Sequence, residues 1–219
     1  MQLLALLGLG LLLGLRHAAD PDHVIAVTAI AARTRRVLPA TALGIVWGLG
    51  HTLTLFVVGA AIILFNWRVP PRIGLSLELC VALALVVVGL LNLKPHRHER
   101  SELGEAPGRP PARRAFLVGL VHGLAGSAAV ALLVLATVRD PRWACGYLLI
   151  FGLGTLMGMA VITTGFAAPV ALAMHRWAHA GRVIRLSTGM LSLGFGIWLV
   201  YQIGWLDGLF RATPHWTAH

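Results

Sequence analysis

The stretch Gly14-Leu15-Arg16-His17-Ala18-Ala19-Asp20-Pro21-Asp22-His23 sets two histidines, two carboxylates and an arginine inside a long apolar run. Residues 1–15 carry no charge, and Val24 to Ala32 is again apolar apart from Thr28, so the polar block has apolar flanks and lies at membrane depth. Ionisable groups in such a place are costly and mark a functional site by default. His17 and His23 are six residues apart, and at roughly 100° per residue a straight helix would splay them by about 120°. Pro21 prevents a straight helix: it removes a backbone donor, biases Asp20 away from helical backbone, and lets Asp20-Pro21 cap and start a new helix. The spacing therefore predicts a helix broken near Pro21. His17, Asp22 and His23 then converge with freed carbonyls on one cation, as in transporters with discontinuous helices. Imidazole with carboxylate suits a borderline divalent ion such as nickel, cobalt or zinc. The competing reading is a buried polar network, but polar contacts in membranes contribute only ~0.6 kcal/mol on average and Ser or Thr would serve as well.

Outward from this block, the chain of 219 residues is 58% hydrophobic and 12% charged, too apolar for a soluble domain. It reads as an all-α polytopic membrane protein forming a single domain over 1–219. Six transmembrane helices are expected at about 2–32, 39–65, 73–93, 115–138, 143–174 and 183–205. Residues 95–114, rich in Pro, Arg and Glu and holding His96 and His98, read as a solvated linker, and 207–219 as a short tail. Gly14-Leu15-Arg16-His17 recurs as Gly119-Leu120-Val121-His122, and Gly48-Leu49-Gly50 as Gly152-Leu153-Gly154, at offsets of 105 and 104 residues. Two matches at nearly one offset indicate duplication, giving repeats at 1–94 and 115–206. With three helices each the second is inverted, and a site is expected near the midplane between them. The second repeat keeps His122 but has Ser127 and Ala128 in place of Asp22 and His23, and Thr155 in place of His51. Gly123, Gly126 and Ser127 are suited to break and cap a matching half-helix.

The 18 Lys and Arg against 8 Asp and Glu give a net charge of +10. Twelve of the cations fall in the stretches 33–36, 94–114 and 175–185, against five in the other loops and the termini. The positive-inside rule makes those three stretches cytoplasmic and both termini external. The basic balance is then topological and no nucleic acid is required. The leucine-rich start has the length of a signal-peptide core, yet no basic residue precedes it and cleavage near Ala18-Ala19 would split the polar block. Cys80 and Cys145 form no CxxC pair and read as small buried apolar residues rather than a redox or thiolate site. Arg16 lies four residues before Asp20, so Asp20 is assigned to capping and to neutralising Arg16, with Pro21 completing the support, and Asp22 to the metal. Glu78 is an alternative partner for Arg16 or an interfacial group.

His17 to His23, within RHAADPDH, reads His-x4-Asp-His and resembles the signature of the nickel/cobalt transporter family. Gly48-Leu49-Gly50-His51-Thr52 and the run from Gly119 to Ser127 make the chain most similar to the short urease-accessory branch of that superfamily. The resemblance implies a multi-helix permease for nickel or cobalt, with His17, Asp22 and His23 in the metal-binding motif and His51 in a second motif. His122 joins the candidate ligands, and Thr52, Ser127 and Thr155 are candidate pathway polars. Longer members carry an acidic Asp-Thr-Ala-Thr-Glu type stretch, whereas the counterpart here, Phe151 to Thr155, has no acid.

The function expected is a secondary permease of a prokaryotic-type plasma (inner) membrane, not an enzyme, with no permanently bound cofactor. It carries nickel first and cobalt next, with uptake favoured by the membrane potential, worth about 4.6 kcal/mol per 100 mV for a divalent ion. No P-loop pattern is present to supply ATP-driven transport. The expected partners are the metal ion and the bilayer, with a homo-oligomer left open. The alternatives are an exporter of the same fold and a membrane redox or thiol protein; a metal hydrolase would need His-Glu-x-x-His spacing, which is missing.

Overall fold

The computed structural model describes residues 2–32, 34, 36–65, 69–94, 112–124, 140–177 and 179–216. Their regular structure is entirely helical: α1 Gln2–His17, α2 Pro21–Ala31, α3 Val37–Phe65, α4 Pro71–Leu93, α5 Ala112–His122, α6 Pro141–Arg176 and α7 Ala180–Tyr201, the last continued by a π-helical turn Gln202–Leu206. Helices α3, α4, α6 and α7 with its π turn are each long and apolar enough to cross a bilayer, and the α1–α2 pair makes a fifth such span if counted as one. Trp67, the linker with His96 and His98, and Gly126 and Ser127 lie outside the described residues, as does most of the helix expected at 115–138.

The first span is broken where its proline predicts. α1 ends at His17, α2 starts at Pro21, and their axes bend by 57°. Asp20 adopts the extended backbone that a residue before proline prefers (φ −60°, ψ 142°). Between the two helices, the Ala19 and Asp20 amides are satisfied by the Arg16 and His17 carbonyls.

Large apolar side chains line the outside: Leu53 and Val57 on α3, Val87 on α4, and Val161 on α6 are about half exposed or more. Inside, buried aromatic and aliphatic side chains such as Trp47, Tyr147 and Phe151 pack with glycines, alanines and a few polar residues. In a bilayer, burying leucine against leucine gains little over burying it in lipid, so helices associate through close packing of small residues. Gly14 of α1 lies on α6 so tightly that a Cβ would strike the Phe151 carbonyl and the Thr155 amide, and Gly154 of α6 lies in turn on Leu11. Gly119 of α5 lies on Trp47 and His51 of α3, and Gly50 of α3 on Phe116 and Leu120. The two interfaces use residues matched by the offsets seen in the sequence. The α1–α6 and α3–α5 pairs thus repeat one packing, and each joins the two halves of the chain.

Helices α4 and α7 pack on each other through Gly89, Gly189 and Gly196, and Ser192 Oγ donates to the Leu85 carbonyl at 2.8 Å. Arg185 near the start of α7 donates to the Asn92 and Lys94 carbonyls at 2.6 and 2.5 Å, closing the last turn of α4. Asn92 in turn donates to the Ala29 carbonyl of α2 at 2.8 Å. The Lys94 end of α4 and the first turns of α7 therefore share one end of the bundle. At the other end the tail folds back, with Trp216 against Gly74 and its indole N–H on Glu78 at 2.8 Å. Of the cysteines, expected to be buried, Cys80 is exposed and Cys145 intermediate, and both are free thiols. A lipid-facing position tolerates a small sulfur side chain as well as a core does.

Candidate metal centre

The break in the first span is where the polar chemistry gathers. The last residue of α1, His17, the third residue of α2, His23, and His51 in the middle of α3 are all buried, and their potential ligand nitrogens lie within 4.8 Å of one another. Ring centroids are 4.6 Å apart for His17–His23, 4.8 Å for His23–His51 and 5.2 Å for His17–His51. His17 Nε2 and His51 Nε2 face each other at 3.1 Å. With metal–nitrogen bonds of about 2.0–2.1 Å, two ligands on one ion are about 2.9 Å apart at a right angle and about 3.3 Å apart at a tetrahedral one. The observed separation falls between these values.

Hydrogen bonds around the rings fix which nitrogens face inward. His17 Nδ1 donates to Asp20 Oδ2 at 2.7 Å, which leaves Nε2 with its lone pair in the neutral ring. His23 Nδ1 donates to the His17 carbonyl at 2.8 Å, a carbonyl near the end of α1, and its Nε2 is buried without a hydrogen-bond partner. With no ion between them, His51 Nε2–H donates to His17 Nε2; an ion held by both nitrogens would require the other tautomer of His51, with its proton on Nδ1, which is buried without a partner. Imidazoles oriented through their second nitrogen by a carboxylate or a carbonyl are the arrangement of metal-ligating histidines.

Asp20 departs from its expected duty. It occupies the N-cap position of α2, but its side chain makes no cap bond. Among the described residues it is hydrogen-bonded to His17 and not to Arg16, which is exposed on α1. The reason is local: the i,i+4 pairing assumed a continuous helix, and α1 ends between the two residues. Pro21 does what was expected of it, at the first position of α2. Asp22 is half-buried with Oδ2 3.7 Å from His23 Nε2. It belongs to an adjoining group, Asp20, Asp22 and His23, whose potential ligand atoms also lie within 4.8 Å of one another. His23 is common to both groups, and Asp22 stands beside the three-histidine cluster rather than within it.

His122, the last residue of α5, lies one ring further out, 5.9 Å from His23, with both nitrogens buried and without a partner. A neutral imidazole keeps one N–H, so at least one donor goes unmet there. Thr155 is buried and its hydroxyl donates to the Phe151 carbonyl of its own helix at 3.0 Å; Thr52 donates to the Gly152 carbonyl across the α3–α6 contact at 3.3 Å. Sequence reasoning missed Trp47, fully buried and 5.2–6.0 Å from the His23, His51 and His122 rings, and Phe151, 5.4 Å from His17. The signal was present: each aromatic lies one turn before the position of His51 or its counterpart Thr155. Together they wall the cluster with apolar rings, which keeps water out and strengthens the interaction of the nitrogens with any charge that enters.

Comparison with known proteins adds three findings. The family described as high-affinity nickel-transport protein matches residues 3–102. The chain is 37% identical over 221 residues to the urease accessory protein UreH of Bacillus sp. (strain TB-90), covering 96% of each chain. It is 22% identical over 209 residues to the chloroplast protein FOR GROWTH AND FERTILITY 2 of Arabidopsis thaliana, covering 87% of this chain and 55% of that one. No solved structure matches the chain.

Proposed function

Because this chain belongs to the nickel/cobalt transporter superfamily, in its urease-accessory UreH-like branch, we propose that it is a secondary permease for divalent transition-metal ions, nickel first and cobalt next. It acts as a transporter and not as an enzyme. The observation that carries this reading is the convergence of the His17, His23 and His51 nitrogens at a break in an apolar span, two of them held in register by Asp20 and by the His17 carbonyl. Three neutral imidazoles replace part of the hydration shell of the ion, and Asp22 supplies negative charge beside them. His122, buried and unsatisfied, is a second stop, and Thr52, Thr155 and Ser127 contribute oxygens along the route.

Two inverted three-helix repeats account for the matched α1–α6 and α3–α5 interfaces, and rocking of one repeat on the other would expose the ion to each side in turn. The orientation that puts the basic stretches in the cytoplasm places both termini outside, in an integral protein of a prokaryotic-type plasma membrane, with uptake driven by the membrane potential. The protein reconstituted in liposomes should accumulate radioactive nickel when an inside-negative potential is imposed, and more slowly cobalt. Accumulation no faster than through protein-free liposomes retires the permease reading, and movement only against that potential turns it into export.

Two further outcomes follow from the site. Asp20→Ala removes the carboxylate that orients His17 and should weaken nickel affinity about 10–100-fold, with Asp20→Asn, which keeps an oxygen acceptor, falling between; nickel titration of the purified protein reads both. Protons compete with the ion for the imidazole nitrogens, so nickel affinity should fall once the solution is acid enough to protonate them. An affinity that stays constant down to the pH at which the protein unfolds would contradict histidine ligation.

A further inference from the structure

A cavity of about 360 Å³ lies between the start of α2, the first half of α4 and the end of α7. Asp20, Asp22, Glu78, Asp207 and Gln202 line it together with apolar side chains such as Trp198, and no Lys, Arg or His is among its lining residues. The chain has only eight acidic residues against 18 Lys and Arg, and four of the eight meet at this one place. They come from parts of the sequence as far apart as Asp20 and Asp207, so the local sequence explains neither their number nor their grouping.

One buried polar atom of the wall points to an occupant, and a second, on His23 of the histidine cluster, lies behind the wall. His23 is fully buried, its Nε2 lacks a hydrogen-bond partner, and that atom lies 3.7 Å from Oδ2 of Asp22, a residue of the cavity wall. Gln202 Oε1 is likewise buried without a partner. An amide oxygen accepts and never donates, so what completes it is an O–H or N–H donor, such as water carried in by an ion. Gln202 opens the π-helical turn, and such local widening of a helix recurs at functional sites. Glu78 is oriented by the Trp216 indole N–H. At about 30 Å³ per water a cation with six waters needs about 180 Å³, which the cavity accommodates.

We propose that this cavity is a capture vestibule for a hydrated divalent cation. Glu78 and Asp207 form its outer wall, Gln202 accepts a hydrogen bond from the ion's water, and Asp20 and Asp22 form the inner wall next to His23. The proposal rests on the permeation reading above and extends it: the ion is first held by charge with its waters on, and loses them only at the three histidines. In the orientation proposed above, the vestibule opens on the external side, since it shares an end of the bundle with the folded-back tail. The outer wall selects for charge and hydrated size and leaves the choice among transition metals to the imidazoles.

The test uses hexaamminecobalt(III), whose ammines do not exchange, so it mimics a hydrated cation and cannot be ligated by imidazole. Calorimetric titration of the full-length protein in zwitterionic nanodiscs at low ionic strength should show binding, about tenfold weaker in the double variant Glu78→Gln/Asp207→Asn and much reduced by 0.5 M salt. Glu78→Gln keeps an oxygen for Trp216, and size-exclusion elution identical to that of the parent verifies folding. His51→Ala should bind the complex as the parent does, because His51 is not in the cavity wall. Equal affinity in the parent and the double variant, or no binding to the parent, overturns the proposal and leaves a cavity that holds only water. Binding that depends on Glu78 and Asp207 in a protein that carries no nickel into liposomes upholds the vestibule and rejects the permeation reading alone.

Discussion

Replacing His17 by alanine should lower nickel affinity at least a hundredfold and reduce uptake at submicromolar nickel to background. Structural zinc sites with four ligands are worth roughly 10–16 kcal/mol, so one imidazole carries about 3 kcal/mol, or about a hundredfold in affinity. His17 is the member of the cluster with the most connections. Its Nε2 faces His51 at 3.1 Å, its Nδ1 holds Asp20 at 2.7 Å, and its carbonyl anchors His23 at 2.8 Å. The side chain can be removed without breaking the helix, because the backbone carbonyl that receives His23 remains. His51→Ala should cost a similar factor, whereas His122→Ala, one ring further away, should cost about tenfold or less, in keeping with the modest effect of losing a polar contact in a membrane. Radioactive nickel accumulation in cells, normalised to protein in the membrane, ranks the three. Uptake by His17→Ala equal to that of the parent would remove the cluster from the mechanism.

The second large effect is on assembly. Gly14→Val and Gly119→Val should each destabilise the bundle by about 3 kcal/mol, the upper end of what overpacking costs. The reason is that the neighbours are backbone, and backbone cannot turn aside. A side chain at Gly14 meets the Phe151 carbonyl and the Thr155 amide, and one at Gly119 meets the Trp47 carbonyl and the His51 amide. Because the two contacts match, the two losses should be nearly equal, and each substitution disturbs a helix that ends in a candidate ligand, His17 on α1 and His122 on α5. Gly194→Ala, with nothing within 4 Å of the added carbon, should be neutral. Thermal unfolding of the purified variants in detergent measures this; Gly14→Val as stable as Gly194→Ala would mean that α1 does not pack on α6 as described.

Reading the sequence succeeded where the signal was local. The break at Pro21 follows from the chemistry of two consecutive residues, and α1 and α2 end and begin where those residues require. The recurring glycines, singled out in the sequence for their spacing, are residues on which the α1–α6 and α3–α5 contacts are built. The same local reasoning misassigned the Asp20 side chain, because pairing it with Arg16 assumed a helix that the adjacent proline had already ended. Asp22, drawn into the metal site by its motif, stands next to the histidine cluster, with Asp20 and His23.

The order of residues by itself determined an apolar helical protein with one interrupted span and a handful of polar groups that had no cheap reason to be there; each of those conclusions depends on neighbours a turn or less apart. Only the tertiary structure decided which of the polar groups meet. His51 reaches His17 because α1 and α3 both settle on α6, α1 at Gly14 and α3 at Gly44 and Gly48, and Glu78 and Asp207 share a wall with Asp20 because α4 and α7 pack along their glycines. Those distances are set by how closely helices can approach, a property of pairs of surfaces that no single stretch of chain contains.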